Sequence, residues 1–339
     1  RTETPNLPAR LPGGMTTASA PGKGYLFGEH AVVYGEPAVP CAIERRARVT
    51  VEQLAEPTLR VHAEDLSLDG FTVEYGLGGD DLDVDAPTSL VASATAYVDE
   101  AIAQVREAVD ETVGFEVTIE SALPLGAGLG SSAAVVVAAI EAATREVGVG
   151  LDREELAERA YRVEHEVQDG QASRADTFCS TMGGAVRVEG DDCRAIEAPE
   201  LPFVVGFDGG AGDTGELVAA VRDLREEYDF AADTVETIGD LVRAGEEALA
   251  AGDVGELGRL MDVNHGLLSA LGVSAGSLDA MVWAARDAGA AGAKLTGAGG
   301  GGCVVALDDS DATETALSYT PECEDAFRAE LAHEGVRLE

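Results

Sequence analysis

The stretch 124-PLGAGLGSSAA-134 lies between GFEVTIES (114–121), whose character alternates, and the long apolar run AAVVVAAIEAATREV (133–147). The order reads strand, glycine turn, helix, so the backbone amides of Gly126, Ala127, Gly128, Leu129, Gly130, Ser131 and Ser132 can converge on an anion at the positive end of the helix. Glycine matters because a phosphate must approach the backbone closely. Ser131 and Ser132 either cap that helix or turn a hydroxyl toward a phosphate or its metal.

Two familiar nucleotide signatures do not fit. Gly126 and Gly128 begin a G-x-G-x-x-G pattern whose third glycine position is Ser131. The segment 297-GAGGGG-302 satisfies the pattern, yet a strand follows it where the dinucleotide fingerprint requires a helix. A Walker A loop is absent too, since Lys23 is followed by Gly24 and Thr17 stands where the first glycine belongs.

Lysine is almost eliminated from the chain. Of 23 basic residues only Lys23 and Lys294 are lysines, and each lies in or beside a glycine-rich turn: 20-APGKGYLFGEHAVVYG-35 and 294-KLTGAGGGGC-303. The 339 residues carry 63 acidic side chains and a formal net charge of -40, which excludes nucleic acid and anionic membrane surfaces as partners. The acidity runs the whole length of the chain, and together with scarce lysine it resembles the surfaces of proteins adapted to very high salt. The cluster 78-GGDDLDVDAP-87 accordingly reads as solvated surface, lacking the glycine and glutamate that a calcium loop needs. Five cysteines, an odd number without C-x-x-C spacing, support neither a disulfide framework nor a zinc site, and a reducing cytoplasm fits them. No apolar run approaches the length of a membrane span.

With 45% hydrophobic residues the chain can bury a sizeable core and is long enough for two domains. Residues 1–16, rich in Pro and Gly at their start, read as a flexible extension. Strands are expected between residue 17 and about 76, with clear alternation at 47–53 and 71–75; helices are expected at 88–111 and 153–168, the second opened by a capping box of Asp152 and Glu155. A strand at 183–190 and the polar stretch 191–202 set the boundary between a domain at 17–195 and another at 196–339. Beyond it come a strand at 203–207, several helices over 215–290, a strand at 303–307 and a helix at 321–334. Without strict βαβ alternation the class is α+β.

Phosphate chemistry without a Walker motif, spread over three separated segments, resembles the GHMP kinases, whose three motifs occur in this order. The match spans residues 20–307. It implies a two-domain fold, with an N-terminal domain like that of ribosomal protein S5 and a ferredoxin-like C-terminal domain. Within the family, 28-GEHAVVYG-35 and 264-NHGLLSALGVS-274 are most similar to archaeal mevalonate kinases. ATP, magnesium and mevalonate are the implied ligands, and a homodimer is compatible.

The resemblance also implies roles. Pro124 to Ala133 would hold ATP; Asp176 would be the catalytic aspartate and Lys23 the lysine beside it. Glu29, His30, Thr214, Gly299 and Gly300 would line the mevalonate pocket. Magnesium would take a hydroxyl from Ser131 or Ser132 and a carboxylate from Glu164 or Glu166, with Glu164 preferred. Lys294 would support the third glycine loop or meet solvent. The sequence departs from the family's usual P-S-G-(I/V)-D, having Ala172, Ser173, Arg174 and Ala175 before Asp176, and Arg174 is placed to meet a more anionic substrate.

Overall fold

The computed structural model describes residues 14–64, 71–76, 88–124, 126–168, 170, 172–210, 212 and 214–339. The acidic cluster at 78–87 and residues 1–13 of the expected extension lie outside these residues. In chain order the first part contains β1 (Met15–Phe27), a 3-10 turn (Ala31–Tyr34), β2 (Val39–Leu54), β3 (Thr58–Glu64), β4 (Phe71–Gly76), α1 (Thr88–Val109), β5 (Gly114–Ser121), α2 (Ser131–Glu146), α3 (Arg153–Val167), α4 (Arg174–Met182), β6 (Ala185–Glu189) and β7 (Asp192–Ile196). The second part contains β8 (Pro202–Phe207), α5 (Thr214–Glu227), α6 (Asp229–Ala251), α7 (Val254–Ala270), α8 (Gly276–Ala288), β9 (Ala293–Thr296), β10 (Cys303–Leu307), α9 (Asp311–Ser318), β11 (Asp325–Glu330) and β12 (Arg337–Leu338).

Two sheets result. The larger has the order β12-β1-β2-β5-β3-β4, with β6 joining β2 and β7 joining β6; the smaller is antiparallel with the order β11-β8-β10-β9. Alternation builds β2, where Ala47, Val49 and Val51 are buried while Arg48 and Glu52 face out. Those inward residues meet α2, whose alanines and valines are buried almost all round, as suits a helix enclosed by β1, β2, α1 and α3. Asp152 caps α3, its carboxylate accepting from the Glu155 amide at 2.8 Å; this is one half of the expected capping box, since the Glu155 carboxylate pairs with Arg159 instead of reaching back to the cap. One apolar cluster joins both sheets through Phe27, Phe203, Val205, Leu241 and Val242.

Two expectations about local structure need correction. Residues 321–334 do not form a helix: Phe327 and Ala329 alternate inward from β11, which pairs with β8, and the helix of this region is α9, capped by Ser310. Short-range composition suggested a helix, and pairing with a strand about 120 residues upstream decided otherwise. The stretch 191–202 is not wholly a linker either, because β7 folds back on β6. The chain ends by returning to the first sheet, Ala18 pairing with Leu338 and Ser19 with Arg337.

Candidate active site

A cleft of about 1040 Å³ opens between the sheets and collects all three glycine-rich segments. Residues 23 and 25 lie on one face of β1, two apart, so Lys23 and Tyr25 project together. The Lys23 ammonium stands 3.2 Å from Asp176 Oδ2, donates to the Gly128 carbonyl at 3.0 Å, and lies 4.5 Å from the Tyr25 ring centroid. Its side chain is only 4% exposed. Asp176 sits in the first turn of α4, a helix capped by Ser173, whose hydroxyl accepts from the Ala175 amide at 3.1 Å. The Tyr25 hydroxyl approaches the other Asp176 oxygen at 3.5 Å. Burial pushes the Tyr25 phenol well up, and the carboxylates of Asp176 and Glu29 add to the shift, so it stays a donor.

The second glycine segment wraps the lysine. Gly126, Gly128 and Gly130 all take left-handed backbone angles, which fold the loop tightly before α2. A Cβ on Gly130 would meet Lys23 Cγ at 3.0 Å, and one on Gly128 would meet the Thr296 carbonyl at 2.9 Å. The N-cap of α2 is Gly130 with no side-chain cap, so the serines do not cap the helix. Ser131 Oγ is buried without a partner. Ser132 lines the cleft beside it.

Glu164 lies on α3 with its carboxyl buried, Oε2 accepting from Gln168 at 2.8 Å and Oε1 without a partner. Burial, helped by the nearby charge of Asp176, pushes this carboxyl up to about 7. Glu166 is exposed on the other side of the helix. Among the described residues no group of three or more His, Cys, Asp or Glu side chains is placed to hold a metal. One carboxylate and one hydroxyl nevertheless fit magnesium, which keeps several waters and shares itself with substrate phosphates. The orphaned Glu164 Oε1 and Ser131 Oγ are the polar atoms such an ion would satisfy.

Beyond Phe27 the chain turns at Gly28 and presents Glu29 and His30 to the cleft. His30 adopts φ 62°, unusual for a non-glycine residue, and its Nε2 lies 2.7 Å from the Ala298 carbonyl of the third segment. Burial lowers the His30 pKa, so the neutral ring donates this bond. Lys294 does not meet solvent: it is fully buried and pairs with Glu29 Oε1, while also donating to the carbonyls of Leu295 at 2.6 Å and Tyr25 at 3.4 Å. Burial pushes the Glu29 carboxyl up and the Lys294 ammonium down, and each partner opposes the shift in the other.

Thr214 and Gly299 line the cleft. Gly300 turns its amide to the Val273 carbonyl at 2.9 Å, and Pro124 and Ala133 also stand outside the lining. Arg174 is already engaged: it pairs with Glu158, lies 3.4 Å from Asp191 and stacks over Tyr161 at 4.1 Å. Its charge is therefore largely spent within the protein. Sequence reading missed Tyr25, Tyr97, Gln168, Arg222 and Thr296, whose hydroxyl accepts from the Tyr25 amide at 2.8 Å. Only Tyr25 carried a usable signal, the period of two from Lys23.

Comparison with known proteins identifies the family. Residues 96–184 match the family model of the GHMP kinases N terminal domain, and 246–320 match that of the GHMP kinases C terminal. A mevalonate kinase of Thermococcus gammatolerans is 42% identical over 95% of this chain and 98% of its own length. Among solved structures, the Methanococcus jannaschii mevalonate kinase aligns with TM-score 0.80 at 27% identity, covering 95% of this chain and 99% of that one. An L. major mevalonate kinase in complex with R-mevalonate aligns with TM-score 0.78 at 26% identity, covering 93% and 95%. The three glycine segments, the fold and these relatives agree, and the chain belongs to the mevalonate kinases of the GHMP kinase family.

Proposed function

We propose that the chain transfers the γ-phosphoryl group of ATP to the 5-hydroxyl of (R)-mevalonate, with Asp176 receiving the hydroxyl proton. The observation that carries this reading is the pairing of Lys23 with Asp176 at 3.2 Å against the glycine loop. Phosphoryl transfer asks little covalent chemistry of a protein; it asks for alignment and for stabilised charge. The loop from Gly126 to Ser132 supplies backbone amides to the phosphates, and Lys23 lies where negative charge develops as the alcohol loses its proton. The lysine stands against Asp176 Oδ2, and the Tyr25 hydroxyl lies 3.5 Å from Oδ1.

Glu164, with Ser131 or Ser132, would hold magnesium, which supplies counter-charge to the ATP phosphates. Glu29, His30 and Thr214 form the wall that the alcohol would face. The test is ADP formation in molar KCl with mevalonate, phosphomevalonate, homoserine and galactose offered separately. Turnover confined to mevalonate supports the proposal, whereas turnover confined to another alcohol would move the substrate assignment.

A further inference from the structure

The buried Lys294 is unused by the chemistry above, although it is one of only two lysines among 23 basic residues. Its ammonium has three protons, and three acceptors converge on it: Glu29 Oε1, the Leu295 carbonyl and the Tyr25 carbonyl. An ammonium with three rotatable donors fits that tripod, and a planar guanidinium does not. The pair also links the two sheets, since Lys294 belongs to β9 of the smaller sheet while Glu29 follows β1 of the larger. Glu29 Oε2 remains without a partner although the residue is only 2% exposed, and Glu29 lines the cleft. A buried carboxylate oxygen left unpaired is costly unless a ligand satisfies it.

We infer that Lys294 is a positioning residue for the alcohol substrate: by holding Glu29 Oε1 from the opposite sheet it aims Glu29 Oε2 into the cleft as an acceptor for a substrate hydroxyl. The inference rests on the proposed alcohol phosphorylation. It assigns Lys294 no contact with substrate or ATP. The third glycine segment thereby acts on the alcohol end of the cleft through the first segment.

The experiment is a cycle of Lys294→Met, Glu29→Gln and the double variant in molar KCl. It reads KM for mevalonate, kcat, ATP affinity by calorimetry and the melting temperature. Lys294→Met is expected to raise KM for mevalonate by about tenfold or more, with ATP affinity held within about twofold. Added to Glu29→Gln, the same change is expected to raise KM by no more than about twofold, because its route to the substrate is already cut. Removing one charge of a buried pair can unfold a protein, so Lys294→Arg, which keeps the charge but not the tripod, provides a second folded variant with a raised KM expected. The inference is overturned if Lys294→Met or Lys294→Arg keeps the parent KM, if ATP affinity falls in parallel, or if the two single effects simply add. A parent enzyme silent toward mevalonate would instead overturn the functional proposal itself.

Discussion

Lys23 touches a carboxylate, a carbonyl and an aromatic face at once, and each contact uses the small size of an ammonium. Replacing it with alanine is expected to lower kcat by about a hundredfold or more, while the melting temperature moves far less, because a positioned charge acts mainly on the transition state. Steady-state rates and thermal melts on the same preparation check both halves. Glu164 offers a second test. Glu164→Gln is expected to raise the magnesium concentration for half-maximal rate by about tenfold or more while folding stays intact, since the amide removes a carboxylate that burial disfavours. An unchanged magnesium requirement would move the metal elsewhere. At this scale Lys23 and the serines stand out in the glycine segments of the sequence, whereas Asp176 and Glu164 lie outside those segments and are picked out only by the family resemblance. The engagement of Arg174 was not legible, because nothing in its neighbourhood of the chain announces that Glu158, sixteen residues back, holds it.

At the scale of elements, the site depends on how closely loops from different parts of the chain approach. Gly128 has φ 78° and faces the Thr296 carbonyl, so Gly128→Ala is expected to weaken ATP binding by about tenfold and destabilise the fold by roughly 1–3 kcal/mol. Calorimetry with ATP and a denaturant melt measure the two effects. His265 of α7 braces β9 from behind, accepting from the Leu295 amide at 3.3 Å and standing 3.1 Å from Asp279 of α8. Burial, with the charge of Lys294, lowers its pKa, so the native state keeps the ring neutral. The unfolded chain takes up a proton as pH falls below about 6.5 and the native state resists it, so this residue's contribution to stability is lost on acidification. His265→Gln is therefore expected to flatten the decline of melting temperature between about pH 7 and 5; an unchanged slope would contradict this assignment. Helices with caps and strands with alternation were legible from sequence, as α3 and β2 show. Strands defined by distant partners were not: β11 owes its form to β8 and β12 to β1.

For the whole molecule the dominant fact is a net charge of -40 around a cleft that must admit ATP and a carboxylate substrate. At low salt that field repels both ligands and strains the compact state; near molar salt the screening length falls to about 3 Å and only charges within the cleft count. Turnover and melting temperature are both expected to rise steeply with KCl toward molar concentration, and maximal activity in dilute buffer would contradict this. Composition alone carried that expectation, while length and hydrophobic content pointed to two domains and the resemblance carried by the glycine segments supplied their fold. The meeting of those segments around one ion pair needed the coordinates. The decisive measurement is rapid-quench formation of phosphomevalonate by Asp176→Asn beside the parent in molar KCl, with ATP affinity measured on both. The prediction is a rate at least about a hundredfold lower with ATP affinity unchanged. A variant that transfers phosphate at the parent rate would show that the proton leaves by another path and that the Lys23–Asp176 pair is not the centre of the reaction.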